Sequence, residues 1–440
     1  MLNNVAYVSI TTDMWTSDSN KSYITVTVHF IYNHKLTSRV IATREVITAH
    51  TGENIAKELR AIFQEWTVLN KIVTVVSDNG ANIKSAINAH LQMYHHPCIA
   101  HTLNLTVSEV LKCNLLSGHF KHSVHATNKL KEVQQQLNMP VLKVIQDVPT
   151  RWNSCYIMLQ RLFDIKDALS VTVTNLSATI AFLGSDDWIL LKECLAILKP
   201  AFDLTNIFSA EKYVTMSMII PLIRGLQVTL KNVSVQTPTG EILKVRLLEA
   251  VHRRLDSYET NKIAAKATFL DPRFKKLVFG NPENANNTEK LIINEVHAIY
   301  SKKQNELQNE NGNSNLEEPA SNNNNNIDNL NTADNLWSHF DQKAAEMNSH
   351  ASSSTIPTIT VKQYLQMPLL ERKNDPLQFW STHQNTFPEL NELACKYLCV
   401  PSTSVPSERV FSEAAQLTNL RRNRLSPKNL DSIIFLNSCL

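Results

Sequence analysis

Residues 23–31 alternate between apolar and polar positions and are rich in β-branched and aromatic side chains, which predicts a half-buried strand. A strand-like run over 5–10 precedes it, and 36–46 predicts a third strand, so the three form an antiparallel meander. The period then changes. Apolar residues at Ile55, Leu59, Ile62, Phe63 and Trp66 fall on one helical stripe, with Thr51-Gly52 as the start signal. Residues 71–77 are almost wholly apolar and β-branched, the mark of a strand buried on both faces, and they end at the turn Asp78-Asn79-Gly80. A helix to about residue 93 shows Ile83, Ala86, Ile87 and Leu91 on one face, and a short strand is expected at 98–100. The order β-β-β-α-β-α-β builds one mixed α/β sheet with helices on its faces.

From about 102 to 300 helical spacing dominates, over 103–111, 124–137, 188–208, 216–230 and 242–258. Residues 304–332 are polar, with an unbroken Asn run at 322–326, and such a segment cannot bury a core, so a disordered loop is expected. Helical pattern resumes over 336–347 and 361–370, and a last compact region begins near Trp380. A helix over 390–399 is broken by the prolines at 401 and 406; Ser407 is a candidate N-cap for a helix starting at Glu408. Ser426-Pro427 marks the final helix start, followed by Leu430, Ile433, Ile434 and Phe435.

The 440 residues leave room for two or three domains, and 43% hydrophobic content suits a globular chain. No apolar run approaches the roughly 18–20 residues of a membrane span, and the N-terminus lacks the basic and apolar regions of a secretory signal. Seven scattered cysteines read as free thiols in a reducing compartment. A net charge of +3 does not by itself announce a nucleic-acid binder. Arg421, Arg422 and Arg424 form a dense basic knot, either a solvated loop or a phosphate contact.

Four stretches carry candidate chemistry. Asp13 and Asp78 follow strand-like runs that a β-α-β arrangement places side by side. Two such carboxylates suit hard divalent cations, although an Asp after a strand is also an ordinary turn residue. A third carboxylate is then needed. Cys98-Ile99-Ala100-His101 is half of a zinc pattern, but no second Cys/His pair stands at finger spacing, which favours a packed cysteine. Arg151-Trp152 pairs a phosphate-gripping group with a base-stacking one, against the alternative of a buried Trp beside a solvated Arg. Glu408 suits a helix N-terminus through the helix dipole alone, and Val410 and Phe411 beside it supply an apolar face.

Taken together, these stretches resemble hAT-superfamily DNA transposases, most nearly the relatives that carry a BED-type zinc finger. The likeness rests on residues 12–17, 77–82, 98–101, 150–154, 268–274, 375–380, 407–412 and 421–425, and so runs along essentially the whole chain. It implies an RNase H-like fold with its first part over 1–112, a helical insertion over 113–385 containing the Asn-rich loop, and a C-terminal dimerisation region over 386–440 that completes the core. It implies that Asp13, Asp78 and Glu408 form a DDE site for Mg²⁺ or Mn²⁺. Trp15 and Trp152 would stand near DNA with Arg151, Arg421, Arg422 and Arg424, and Cys98 and His101 near the active centre. Leu398, Val410, Phe411, Leu430, Ile433 and Ile434 would serve dimerisation. The BED finger and the helical segment before the first acidic strand have no counterpart here, so a fragment, a truncated gene model or a derived gene is expected. The resemblance implies a nuclear protein that dimerises and associates with DNA, as a transposase or nuclease core. It leaves open an inactive, domesticated regulator of transcription or chromatin, and a SUMO-ligase-like factor.

Overall fold

Five strands form one sheet: β1 (Val8–Thr16), β2 (Ser22–Tyr32), β3 (Lys35–Glu45), β4 (Ile72–Ser77) and β5 (His95–Pro97). Their order is β3-β2-β1-β4-β5. β1–β2 and β2–β3 are antiparallel, whereas β1–β4 and β4–β5 are parallel. This is the mixed α/β sheet expected from the sequence. The computed structural model describes residues 1–17, 20–111, 124–148, 151–174, 183–209, 213–312, 343, 355–410 and 426–439.

β1 is longer than its apolar run because its two faces differ in chemistry. Val8, Ile10 and Met14 point toward helix α1 (Gly52–Glu65) and share a core with Ile55, Leu59, Ile62 and Phe63. The opposite face carries Ser9, Thr11, Asp13 and Trp15, polar or half-polar groups that the alternation of a strand brings into line. Thr51 caps α1 as expected, its side chain accepting the Asn54 N–H at 3.3 Å. After β4 come α2 (Ala81–Ser85), a π turn over Ala86–His90, and α3 (Ile99–Val110). The last strand therefore lies three residues before the expected 98–100, which is instead the start of α3. Two buried histidines disguise it: His95 bonds Ser77 Oγ at 2.9 Å, and His96 packs edge-on against Tyr258.

The middle of the chain is helical, as expected. It comprises α4 (Val124–Gln136), α5 (Trp152–Asp164), α6 (Lys166–Thr174), α7 (Ser185–Phe208), α8 (Ile219–Asn232), α9 (Pro238–Leu255), α10 (Lys262–Leu270), α11 (Pro282–Gly312), α12 (Thr355–Gln366), α13 (Pro376–His383) and α14 (Pro388–Leu398). These helices and one face of the sheet share a single core running from Val76, Ile99 and Leu103 through Trp152 to Leu398. The expected polar loop does not begin at 304. Ile292 and Val296 anchor α11 in the core, and its polar end continues to Gly312. The Asn run lies outside the described residues, as does the helix expected over 336–347, of which 343 alone is described.

Two segments bring the late part of the chain back to the sheet. At the end of α10, buried Asp271 accepts from Ser217 Oγ at 2.6 Å and pairs with Arg273, while Trp380 Nε1 and Tyr364 OH donate to the carbonyls of Leu270 and Phe269. This holds α12 and α13 in place. Beyond α14, the Ser402 carbonyl accepts the Ile99 N–H at 3.0 Å, and a helical stretch over 405–410 leads toward α15 (Pro427–Cys439), which lies against β3.

Candidate active site

Asp13 sits within β1, opposite Thr25 of β2, and not at the strand's exit as the apolar run suggested. On the other side Thr11 is paired with Val76 of β4 in parallel register. Two residues further along stand Asp13, within β1, and Asp78, the first residue past the end of β4. Asp13 Oδ1 accepts the Met14 N–H at 2.8 Å, and Asp78 Oδ1 accepts the Gly80 N–H at 3.0 Å, the Asx turn expected of Asp-Asn-Gly.

Glu408 returns to these two through a chain of hydroxyls and an imidazole. Ser404, not Ser407, begins the 405–410 helix, since its carbonyl accepts the N–H groups of Ser407 and Glu408. Ser407 lies in the first turn, and its hydroxyl donates to Thr11 Oγ1 at 2.9 Å. Thr11 is in turn 2.9 Å from His29 Nε2, and His29 Nδ1 is 2.8 Å from Ser38 Oγ. Ser407 donates to Thr11, and neutral His29, which donates at one ring nitrogen and accepts at the other, links Thr11 to Ser38 in either tautomer. Thr11, His29 and Ser407 are all buried. This relay docks the Glu408 segment onto β1 two residues from Asp13.

The three carboxylates feel one another. Burial pushes Asp13 up to about 7; the Met14 N–H opposes the rise, and the nearby charges of Asp78 and Glu408 add to it. Glu408 is raised by burial against the pull of Arg151 and His101, and Asp78 repels it as well. Among the described residues no three His, Cys, Asp or Glu side chains are gathered as ligands of one ion. The donors nonetheless suit a hard cation: all are oxygens, and among the described residues no positive charge offsets the raised carboxyl of Asp13. Mg²⁺ takes only one or two protein carboxylates and completes its octahedron with water and substrate phosphates. The set fits a cation site completed by substrate, not a closed protein cage.

Cys98 is a packed thiol. Its N–H donates to the Ser77 carbonyl at 2.8 Å, its Sγ accepts the Ser404 N–H at 3.3 Å, and burial pushes the thiol up. It thereby ties the end of β4 to the segment carrying Glu408. His101 opens instead into a cleft of about 400 Å³, shared with Asn104, Arg151, Trp152, Asn153 and Glu408. Arg151 is exposed at this cleft, whereas the Trp152 indole is only 4% exposed and packs edge-on against Phe202. The guanidinium, not the indole, is the group presented to solvent. Trp15 stacks on Tyr23 at 4.8 Å and joins Val40, Val410, Leu430 and Ile434 in a small cluster.

Of the residues expected to serve dimerisation, Leu398, Val410, Leu430 and Ile434 are buried within this one chain, because they close the helical core and the outer face of the sheet. Ile433 is 39% exposed. Phe411, Arg421, Arg422 and Arg424 lie outside the described residues. Asn104, Thr11, His29 and Ser404 were not legible as site residues. The one available signal was the polar period-two stripe Ser9, Thr11, Asp13 on a strand whose other face is apolar.

A 3-2-1-4-5 mixed sheet, with acids on its central strand, just past the end of the parallel neighbour and on a late helix, defines a protein of the RNase H-like class. Comparison with known families agrees. Residues 11–107 match the ZBED1 RNase-like domain, 96–196 the ZBED1 RNase-like helical domain, and 360–440 the hAT family C-terminal dimerisation region. The chain is thus similar along most of its length to hAT-type transposases and their BED-finger relatives. It is 26% identical to "Zinc finger BED domain-containing protein 4" of Homo sapiens, over 98% of this chain and 37% of that protein. It is 24% identical to "Putative AC transposase" of Zea mays, over 97% of this chain and 56% of that protein. The same identity links it to "Zinc finger BED domain-containing protein RICESLEEPER 2" of Oryza sativa subsp. japonica, over 97% and 64%. The chain thus spans from about a third to just under two thirds of these relatives' lengths.

Proposed function

We propose that this is a hAT-transposase-derived nuclear protein that self-associates and binds DNA, with Asp13, Asp78 and Glu408 as a metal-dependent strand-cleavage and transfer centre. The observation that carries the reading is that three acids distant in sequence lie near enough to feel one another's charge. The β1–β4 register sets Asp13 beside Asp78, and the Ser407–Thr11 hydrogen bond brings Glu408 to both. Self-association is supported by the match of 360–440 to the hAT dimerisation region. Nuclear residence and DNA as partner are supported by the relatives' names, among them an AC transposase and BED-finger proteins.

Asp13, Asp78 and Glu408 would hold Mg²⁺ or Mn²⁺, which when bound lowers the barrier to attack on a phosphodiester by polarising it and by activating the attacking hydroxyl. The chain's own residues do the rest. Arg151, exposed beside Glu408, grips a phosphate oxygen and orients the strand in the cleft. His101 and Asn104 line the same wall and offer further hydrogen bonds. Cys98 and the Thr11–Ser407 link fix the distance between the sheet and the Glu408 helix, so the acids are positioned before DNA arrives.

A second reading is that the chain regulates transcription or chromatin without cleaving DNA. It is favoured by the fact that no three acids are already gathered around one point among the described residues, and by a similar protein named "Putative transcriptional regulator tpeD". A SUMO-ligase-like role has no observation of its own. The test is Mn²⁺-dependent cleavage and strand transfer on a duplex with a pre-nicked end. Product from the wild type and none from Glu408→Gln supports the first reading. Identical behaviour of the two proteins removes it.

A further inference from the structure

A second cleft, of about 370 Å³, opens beside Asn79, the residue after Asp78. It is lined by Asn79, Lys84, Arg254, Ser257, Tyr258 and Asn261. Helix α3 stands between the two clefts. Ala100, His101 and Asn104 face the first, and Thr102 and Leu105, further round the same helix, face the second. The acidic centre therefore lies at the N-terminal end of a ridge with an open trough on each flank.

The lining of the second trough is that of a phosphate track. It offers amides, hydroxyls and cations around an apolar part formed by Pro97, Leu105 and the Tyr258 ring, and the polar share of the lining is the larger. Lys84 is exposed, and none of the ion pairs found among the described residues includes it. Arg254 donates to Glu109 at 2.7 and 3.1 Å, and Arg253 donates to the same carboxylate, so two guanidinium charges face one acid. Lys84, Arg253 and Arg254 outnumber Glu109 here, with Asp78 at the mouth of the trough as the other nearby acid. A cation would find no acid among the residues that line it. A flexible polyanion finds donors spaced along its path, beginning at Asn79, one residue from Asp78.

We propose that this second trough binds the phosphodiester backbone of the DNA as it runs on from the acidic centre, with Lys84 and Arg254 as its phosphate contacts. The inference rests on the reading of the protein as a DNA binder and adds a surface to it. Neither residue touches the reacting atoms; their role is to hold the flanking duplex.

The experiment measures binding of the full-length protein to a fluorescein-labelled 30-base-pair duplex by anisotropy across a KCl series. Each phosphate contact contributes about 0.9 to the slope of log K against log salt. Lys84→Gln is expected to lower that slope by about 0.9 and the Lys84→Gln/Arg254→Gln pair by about 1.8, with Lys84→Arg restoring the wild-type value. Arg151→Gln serves as the reference for the first cleft. Both sites are at the surface and the Arg254–Glu109 pair is solvent-exposed, so folding should be little affected, which circular dichroism of each variant checks. If Arg151→Gln lowers the slope and the double variant does not, the second trough is not a DNA track and the proposed function stands. A wild type with no affinity for the duplex overturns both.

Discussion

Asp13 is the residue at which function and stability pull apart. Its carboxyl stands near 7 in the fold against 3.8 ordinarily, so the native state holds the extra proton between those values. Its contribution is therefore most favourable below pH 3.8 and is lost as pH rises through 7. Each pH unit between the two values is worth about 1.4 kcal/mol. Asp13→Asn should therefore stabilise the protein by up to about 4 kcal/mol at pH 8 in EDTA and by little at pH 4, as read from urea unfolding. An Asn variant no more stable than wild type at pH 8 would show that the carboxylate is not strained by its surroundings. His29 works the other way. Burial holds it neutral down to about 3, so its contribution is complete above about 6.5 and is lost as pH falls toward 3. His95 and His96, lowered by burial to about 4 and about 3, add to the same acid lability. Replacing His29 with Gln should flatten the stability profile between pH 6 and 4 by roughly 1.4 kcal/mol per pH unit. An unchanged slope would mean that the imidazole titrates normally in the fold.

At the scale of elements, the meander, α1, β4 and the long helical middle were legible because periods of two and 3.6 separate them cleanly. β5 was not, since its strand is built from His95-His96-Pro97, whose burial depends on Ser77 and Tyr258 far away in sequence. The start of the Glu408 helix was misplaced for a similar reason. Ser407 has the chemistry of a cap, but its hydroxyl is taken by Thr11, 396 positions earlier, a contact that no local pattern encodes. The acids were candidates from the sequence, whereas the hydrogen-bonded relay from Ser407 to Thr11 and His29 left no local pattern. Ser407→Ala should cost about 1 kcal/mol of stability and weaken Mn²⁺ binding without abolishing it, because Cys98 still holds the neighbouring turn. The other late element, α15, is pinned by Asp431, whose Oδ1 accepts the Thr43 N–H of the outer strand β3 at 2.6 Å. Asp431→Ala should cost about 1–3 kcal/mol and expose the Thr43 amide to hydrogen exchange. Wild-type protection at Thr43 would show that the helix is held by its apolar face alone.

For the whole molecule, the C-terminal region both packs its last helix against the sheet and matches a dimerisation region. Leu430 and Ile434 close the fold, while Ile433 and Leu436, 39% and 61% exposed on the same helix, remain outside. Charged residues at Ile433 and Leu436 should lower the sedimentation coefficient of the full chain and leave its circular dichroism unchanged, whereas Leu430→Asp should unfold it. The central claim is that Asp13, Asp78 and Glu408 act as one cation site despite lying in three separate parts of the chain. The most direct measurement is a Mn²⁺ titration, in the presence of a nicked duplex, of wild type and of Asp13→Asn, Asp78→Asn and Glu408→Gln, with free Mn²⁺ read by electron paramagnetic resonance. Uptake by the wild type and a marked loss in each of the three variants is the expected result. Equal uptake by wild type and Glu408→Gln would contradict it.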